Sequence, residues 1–269
     1  MNKRLLSNLF KKYKSDKYHH KYSEIYEKYL NVHKNKKVKV LEIGVADGSS
    51  VKAWSRFFNN GKVIGIDIKD VNKKKLKIKT NNIDLFQGSQ SDYVFLKKLI
   101  NKYKNFDFII DDGSHYPKDV IKSFKFLFPY LKNGGIYFIE DTQTSYNHFF
   151  GGNPFDLKYA NTHLNFFKNL SDCLNYKEIP NPFYIKNPFD GLITNVSFYR
   201  NIVVVTKNIN EIESNLVKNN SYENKRYITK TKRNKNKLKY FIKYLVFFKI
   251  YTFLFYIYSL IKRIILLRF

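Results

Sequence analysis

Two short acidic stretches carry the residues with the most chemistry to offer: Ile110-Asp111-Asp112-Gly113-Ser114-His115 and Ile139-Glu140-Asp141-Thr142. If each follows a strand of the same sheet, Asp112, Glu140 and Asp141 share one rim, where three carboxylates repel each other unless a cation neutralises them. Oxygen ligands without thiolates suit a hard divalent ion, Mg2+ first, with Mn2+ or Ca2+ suiting the same donors. Helix capping or pairing with nearby lysines is the structural alternative for the same acids. His115 stands three residues beyond Asp112. A neutral imidazole, of ordinary pKa about 6.5, is a fitting base for a hydroxyl acidified by a metal. His33, His148 and His163 lack such a setting and read as surface or packing residues.

A third feature is the turn Glu42-Ile43-Gly44-Val45-Ala46-Asp47-Gly48-Ser49. It lacks the G-x-G-x-x-G that seats a pyrophosphate, and an acid before the first glycine suits a cofactor bearing an amino group. Asp67, at the end of the following strand, is placed to accept from ribose hydroxyls. Together these favour S-adenosylmethionine over a dinucleotide, while a tight turn capped by Ser49 is the structural alternative.

The elements that must position these groups alternate. Strands are expected at 38–43, 62–68, 83–86, 106–110 and 135–139, with helices at 49–58, 93–103 and 118–131. Strands separated by helical segments imply a doubly wound α/β fold with a mostly parallel seven-stranded sheet, whose ligands collect outside the carboxyl ends of the strands. Val196–Arg200 and Ile202–Val205 flank Asn201 as a closing antiparallel pair. Before the first strand, Leu5, Leu6, Leu9 and Phe10 recur at helical spacing and a second helix is expected near Ser23 to Leu30; a further one is expected at 162–174.

Composition bounds the rest. The 269 residues hold 49 Lys and Arg against 22 Asp and Glu, a net charge of +27, with 43% hydrophobic and 18% aromatic residues. That is ample core for a globular body and excludes a disordered or fibrous chain. The single cysteine, Cys173, excludes an internal disulfide framework, agrees with a reducing cytosolic setting, and reads as a packed small hydrophobe.

The combination of LEIGVADGSS, IDDGSH, FLFPYLKNGGIYFIEDTQTSY and VSFYRNIVVV resembles class I S-adenosylmethionine-dependent methyltransferases, in particular the metal-dependent sugar O-methyltransferases of the macrolide-modifying type. The upstream DKYHHKY, with Asp16, Lys17, His20 and Tyr22, resembles that family's N-terminal segment, so the likeness runs from about Ser15 to Lys207. It implies a Rossmann-like methyltransferase fold and O-methyl transfer to a sugar hydroxyl of a glycan or glycosylated small molecule. Its metal ligands would be Asp112, Glu140 and Asp141, and its base His115. Carried along the motifs, the cofactor contacts would be Glu42, Gly44, Asp47, Gly48, Ser49, Asp67, Gln87, Ser89, Asp111 and Tyr22, with Gln143 and Tyr146 helping Tyr22 close the site. Two positions depart from the pattern: Ala46 replaces a common glycine, and Ser89 an acid often found beside adenine.

The chain is expected to divide into a helical lid segment (1–36), the methyltransferase domain (37–208) and, beyond the reach of the resemblance, a basic linker (209–239) and a hydrophobic tail (240–269). From Lys225 onward there are 13 Lys or Arg and no acid. The longest uncharged run, 250–261, spans about 18 Å as a helix, short of a hydrocarbon core of about 30 Å. We therefore expect the tail to lie on an anionic membrane surface, with the protein peripheral on the cytoplasmic face and a surface glycan or its precursor as acceptor. A membrane-spanning segment and a helix packed in a homo-oligomer are the alternatives for the tail. An acceptor without sugar, such as a lipid head group, is the enzymatic alternative. A nucleic-acid-binding module on a degenerate fold is the third reading, which the tail's apolar stretch disfavours.

Overall fold

The computed structural model describes residues 5–179 and 184–210, with 242, 243, 246–250, 252, 254 and 257 in the tail. Strands β1 (Lys39–Ile43), β2 (Lys62–Asp67), β3 (Ile83–Gln87), β4 (Phe106–Asp111), β5 (Leu131–Glu140), β6 (Ile193–Tyr199) and β7 (Ile202–Lys207) form one sheet in the order β3-β2-β1-β4-β5-β7-β6. The first five pair in parallel, whereas β7 is antiparallel to both β5 and β6. The sheet is thus mixed, where the sequence led us to expect a mostly parallel one. The cause is local: Arg200 and Asn201, the latter at φ 62°, leave room only for a hairpin, and so short a link joins antiparallel strands alone.

Both faces of the sheet are covered, which is why β1, β2 and β4 read as near-continuous apolar runs. One face packs on α1 (Leu5–Tyr13), α2 (Tyr22–Leu30) and α3 (Ser49–Phe57) through Val40, Val63, Phe108, Ile110 and Phe138. The other packs on α4 (Tyr93–Tyr103), α5 (Pro117–Leu127) and α6 (His163–Asn169) through Leu41, Ile43, Ile64, Ile66, Ile109, Tyr137 and Ile139. The expected helix at 162–174 divides into α6 and a final turn, α7 (Ser171–Leu174). Helix α5 stops at Leu127 because Phe128-Pro129-Tyr130 tightens into a 3-10 turn, and β5 begins directly after it.

The N-terminal helices dock firmly. Leu6, Leu9 and Phe10 of α1 and Tyr26 and Leu30 of α2 are buried, and Phe10 and Tyr26 meet Trp54 of α3 edge-on at 5.0 and 4.9 Å. Glu27 of α2 accepts from the Leu6 and Ser7 amides, placing a carboxylate at the start of α1 where unpaired N–H groups welcome it. Helices α1 and α2 therefore belong to the same compact unit as the sheet, which runs to Leu174 and resumes over Phe189–Asn210. The described residues among 175–188 and after Asn210 fall outside this unit. Beyond Asn210 the expected basic linker, and most of the expected tail, lie outside the described residues. Among the described residues no helix is long and apolar enough to cross a membrane.

Candidate active site

Strands β1, β4 and β5 are neighbours, so their carboxyl ends bring Glu42, Asp111, Asp112, Glu140 and Asp141 to one edge of the sheet. Asp112 and Asp141 face each other across His115. Its Nε2 lies 3.8 Å from Asp112 Oδ1 and 3.8 Å from Asp141 Oδ2. One ligand atom from each of the three lies within 4.8 Å of the others. All three residues are part-exposed, so the space between them opens outward.

Local backbone geometry fixes this arrangement. His115 and Asp141 both sit in the left-handed region, at φ 59° and 53°, which is uncommon away from glycine and concentrates at functional sites. The Thr144 hydroxyl lies 3.1 Å from the His115 carbonyl and 2.8 Å from that of Asp141, tying the two strained turns together.

The remaining oxygens of the two aspartates are held from the N-terminal segment. Tyr22 donates to Asp141 Oδ1 at 2.8 Å, and Lys17 donates to Asp112 Oδ2 at 2.5 Å. Burial and the Asp141 charge raise the Tyr22 phenol above its ordinary range, so it remains a donor. Lys17 also donates to Glu140 Oε1 at 2.7 Å and lies 3.7 Å from Glu42 Oε1, while being only 1% exposed. Burial alone would discharge this ammonium, but Asp112, Glu140 and Glu42 together hold its pKa well above the usual lysine value. Tyr26 of α2 gives Glu140 a second donor.

The structure therefore divides the three expected metal ligands. Asp112 and Asp141 come together with His115, whereas the Glu140 carboxylate points to the other side of Asp112, to Lys17 and Tyr26. Lys17 and Tyr26 are the participants that sequence reasoning missed. Lys17 belongs to a noted motif, but in a chain with 49 Lys and Arg nothing local marks one lysine as buried.

The expected cofactor contacts fall into two groups. Gly44, Asp47 and Gly48 lie in the turn after β1, Ser49 opens α3, and Asp67 ends β2 beside that turn. Asp67 Oδ2 accepts from the Val45 and Ala46 amides, and its Oδ1 from the Lys69 amide. Asp47 accepts from the Ser49 amide and hydroxyl, and Gly48, at φ 79°, caps α3. A side chain at Gly44 would strike the Asp112 carbonyl at 1.9 Å, so glycine here lets the two chemical loops touch. Ala46 itself adopts φ 47°, the geometry that explains why a glycine is common at this step of the motif. Gln87 and Ser89 flank the end of β3 beside this turn, with the Gln87 amide on the Ile68 carbonyl and the Ser89 hydroxyl on Ser91.

The second group is enclosed. Glu42 is fully buried, accepting from Ser50 and the Trp54 indole; burial raises its pKa to about 7 against the opposing pull of Lys17. Asp111 accepts from Gln90, Ser123 and Tyr137, and burial raises its pKa to about 6. Gln90 in turn accepts from the Ser114 amide, so Asp111 shapes the loop that carries His115. Tyr22 faces Asp141 rather than the glycine turn. Tyr146 is exposed, and Gln143 Oε1 is buried with no hydrogen-bond partner.

Comparison with known proteins extends this geometry. Residues 41–142 match a family described as a methyltransferase domain. The chain is 34% identical over 221 residues to mycinamicin VI 2''-O-methyltransferase of Micromonospora griseorubida, covering 77% of this chain and 53% of that one. It is 34% identical over 217 residues to 8-demethyl-8-alpha-L-rhamnosyl tetracenomycin-C 2'-O-methyltransferase of Streptomyces olivaceus, covering 76% and 55%. Among solved structures, the MycE methyltransferase of the mycinamycin biosynthetic pathway, in complex with Mg, SAH and mycinamycin VI, superposes with a TM-score of 0.73 at 33% identity, covering 79% and 55%. The chain spans about half the length of the curated relatives it matches.

Proposed function

We propose that this chain is a class I S-adenosylmethionine-dependent methyltransferase that methylates a sugar hydroxyl of a glycosylated acceptor, assisted by Mg2+; the match of residues 41–142 to a methyltransferase domain and the 34% identity to mycinamicin VI 2''-O-methyltransferase support this reading. One observation supports this above the others: Asp112 Oδ1, Asp141 Oδ2 and His115 Nε2 converge on one open space at the rim of the cofactor turn.

The donor set fits the metal. Two carboxylate oxygens turned to one space suit Mg2+, which prefers oxygen to imidazole nitrogen and keeps room for further oxygen ligands. Asp112 and Asp141 would hold it, and the Glu140 carboxylate stands one residue away on Lys17. When bound, the ion lowers the pKa of an acceptor hydroxyl. The chain's own groups do the rest. His115 Nε2 accepts the hydroxyl proton; the acceptor oxygen forms its bond to the methyl carbon as the carbon–sulfur bond of the donor breaks, leaving S-adenosylhomocysteine. Asp67 and the glycine turn that it holds through the Val45 and Ala46 amides shape the place of the donor, and Thr144 keeps His115 and Asp141 in register. Titrating S-adenosylmethionine into the full chain with Mg2+ and then with chelator tests the donor site; methyl transfer to glycosylated acceptors and their sugar-free counterparts tests the acceptor class. Binding together with transfer to the sugar-bearing members supports the proposal, and absence of binding in both conditions overturns it.

In the same proposal the tail rests on an anionic membrane surface at the cytoplasmic face, giving access to a surface glycan or its lipid-linked precursor. The run of Lys and Arg without acids after Asn224 supports this, as do the exposed Ile242, Val246, Phe247 and Ile250. Flotation of the full chain with phosphatidylglycerol vesicles, reversed by salt, is the expected result; equal flotation with neutral vesicles, or none, refutes it.

A further inference from the structure

The loop that follows the 3-10 turn Thr142–Tyr146 carries aromatic side chains to the surface, and neither the metal rim nor the donor turn uses them. Between Lys132 and Lys158 the chain has no Lys or Arg, although 49 of its 269 residues are one or the other. In place of solvated lysines this stretch shows water Phe149, at 75% exposure, and Phe155, at 96%. Aromatic rings grouped in the open on one short loop beside a reaction centre mark a recognition surface.

The loop's backbone is fixed. The Asn147 side chain accepts from the Phe149 amide, and the Gly151, Gly152 and Asn153 amides donate to the His148, Asn147 and Ser145 carbonyls, each at 2.9 Å. A side chain at Gly152 would come within 2.3 Å of the Thr144 carbonyl, so the loop folds directly onto the residue whose hydroxyl holds the His115 carbonyl. This places Phe150. Its ring centroid is 6.4 Å from the His115 imidazole, at 63° to it, and 5.6 Å from the Tyr116 ring. Phe150 is half-buried and Tyr116 exposed, which leaves aromatic surface uncovered beside the imidazole.

The face of an aromatic ring is negative and attracts C–H groups, which is what the less polar face of a pyranose presents. Hydroxyls project around the rim of such a sugar, so one that rests its C–H face on Phe150 turns its hydroxyl edge to the imidazole. We propose that Phe150, flanked by Tyr116, is the acceptor platform, stacking against the C–H face of the acceptor sugar and bringing its hydroxyl edge to His115 Nε2. The inference rests on the methyl-transfer reading above and deepens it by naming a residue that selects the acceptor. A platform of this kind recognises a ring with an unbroken C–H face and rejects an open-chain polyol.

Saturation-transfer NMR on the full chain with S-adenosylhomocysteine provides the test. The probes are methyl α-L-rhamnoside, methyl β-D-glucoside, methyl β-D-galactoside and the open-chain polyol glucitol. At least one glycoside should bind, with saturation strongest on the protons of one sugar face, and glucitol should not. Phe150→Leu keeps an apolar side chain but removes the aromatic face; it should weaken the glycoside about tenfold, near the top of the range for an aromatic contact. Phe150→Tyr should hold the affinity within about twofold. Calorimetry should give all three proteins the same affinity for S-adenosylhomocysteine.

A leucine variant that binds the glycoside as wild type does overturns the proposal, because a group that only packs beside His115 is replaceable by another apolar side chain. A tyrosine variant as weak as the leucine one overturns it too, as does glucitol bound as tightly as the glycosides. Where the leucine variant also loses S-adenosylhomocysteine, the wild-type comparison of glycosides with glucitol decides. Wild type that binds S-adenosylhomocysteine and no glycoside sinks this inference alone; failure to bind either removes the methyl-transfer reading and this inference with it.

Discussion

The Tyr22 hydroxyl donates to Asp141 Oδ1 at 2.8 Å across 119 residues of sequence, and this bond decides which oxygen of Asp141 faces His115. Tyr22 opens α2 and is 2% exposed, so its ring is fixed by packing before its hydroxyl meets the carboxylate. Tyr22→Phe keeps that packing and frees Asp141 to rotate. We expect a stability loss of about 1.5–3 kcal/mol, the range for a hydrogen bond to a charged acceptor. The Mg2+ concentration needed for half-maximal turnover should rise with it. Denaturant unfolding and Mg2+ activation curves check both, and an unchanged activation curve refutes the orienting role.

His115→Ala removes the proton acceptor and nothing that touches the glycine turn. Turnover should fall about 10²-fold or more, the usual contribution of a positioned base. S-adenosylmethionine affinity by calorimetry should hold within about twofold. A fully active variant removes His115 from the mechanism.

Ala46 and Gly44 make an opposed pair on one turn. Ala46 occupies φ 47°, where an L-residue is strained by about 1–2 kcal/mol, partly offset by the greater freedom of glycine in the unfolded chain. Ala46→Gly should therefore stabilise by about 0.5 kcal/mol. Gly44→Ala should do the reverse and cost about 3 kcal/mol or more, since its Cβ has the Asp112 carbonyl at 1.9 Å and the φ is 88°. Urea midpoints of the two variants should move in opposite directions; movement in the same direction contradicts this account of the turn.

His163 gives the fold an acid sensitivity. Burial lowers its pKa to about 4, with neighbouring His115 adding to the effect and the Thr142 backbone partly opposing it. Between about pH 6.5, where an unfolded histidine protonates, and about pH 4, the unfolded chain holds a proton that the folded chain refuses. Stability from this residue is complete above that window, falls as pH falls through it, and levels off below. His163→Leu should flatten the pH dependence of unfolding free energy between pH 4 and 6.5, measured against wild type in urea. An unaltered slope shows that other groups carry the acid sensitivity.

Hydrophobic periodicity located the strands and helices, because a residue's preference for a face is written in its neighbours two, three and four places away. The chemistry of the rim was legible for a related reason. IDDGSH and IEDTQ each follow a strand, and neighbouring parallel strands bring such ends together whatever the side chains do. Residue types alone also required a cation for three crowded carboxylates. That a lysine of the chain itself reaches two of them was beyond local reading. Lys17 lies 95 residues from Asp112 and 123 from Glu140, and only the docking of α1 and α2 on α3, through Phe10, Tyr26 and Trp54, carries its ammonium there. The same holds for which acid faces His115. Sequence order places Glu140 and Asp141 side by side, but the left-handed turn at Asp141 sends the two carboxylates to opposite sides of Asp112, one to His115 and one to Lys17. Local pattern fixes which groups reach an edge; the direction each one points follows from packing between segments far apart in the chain.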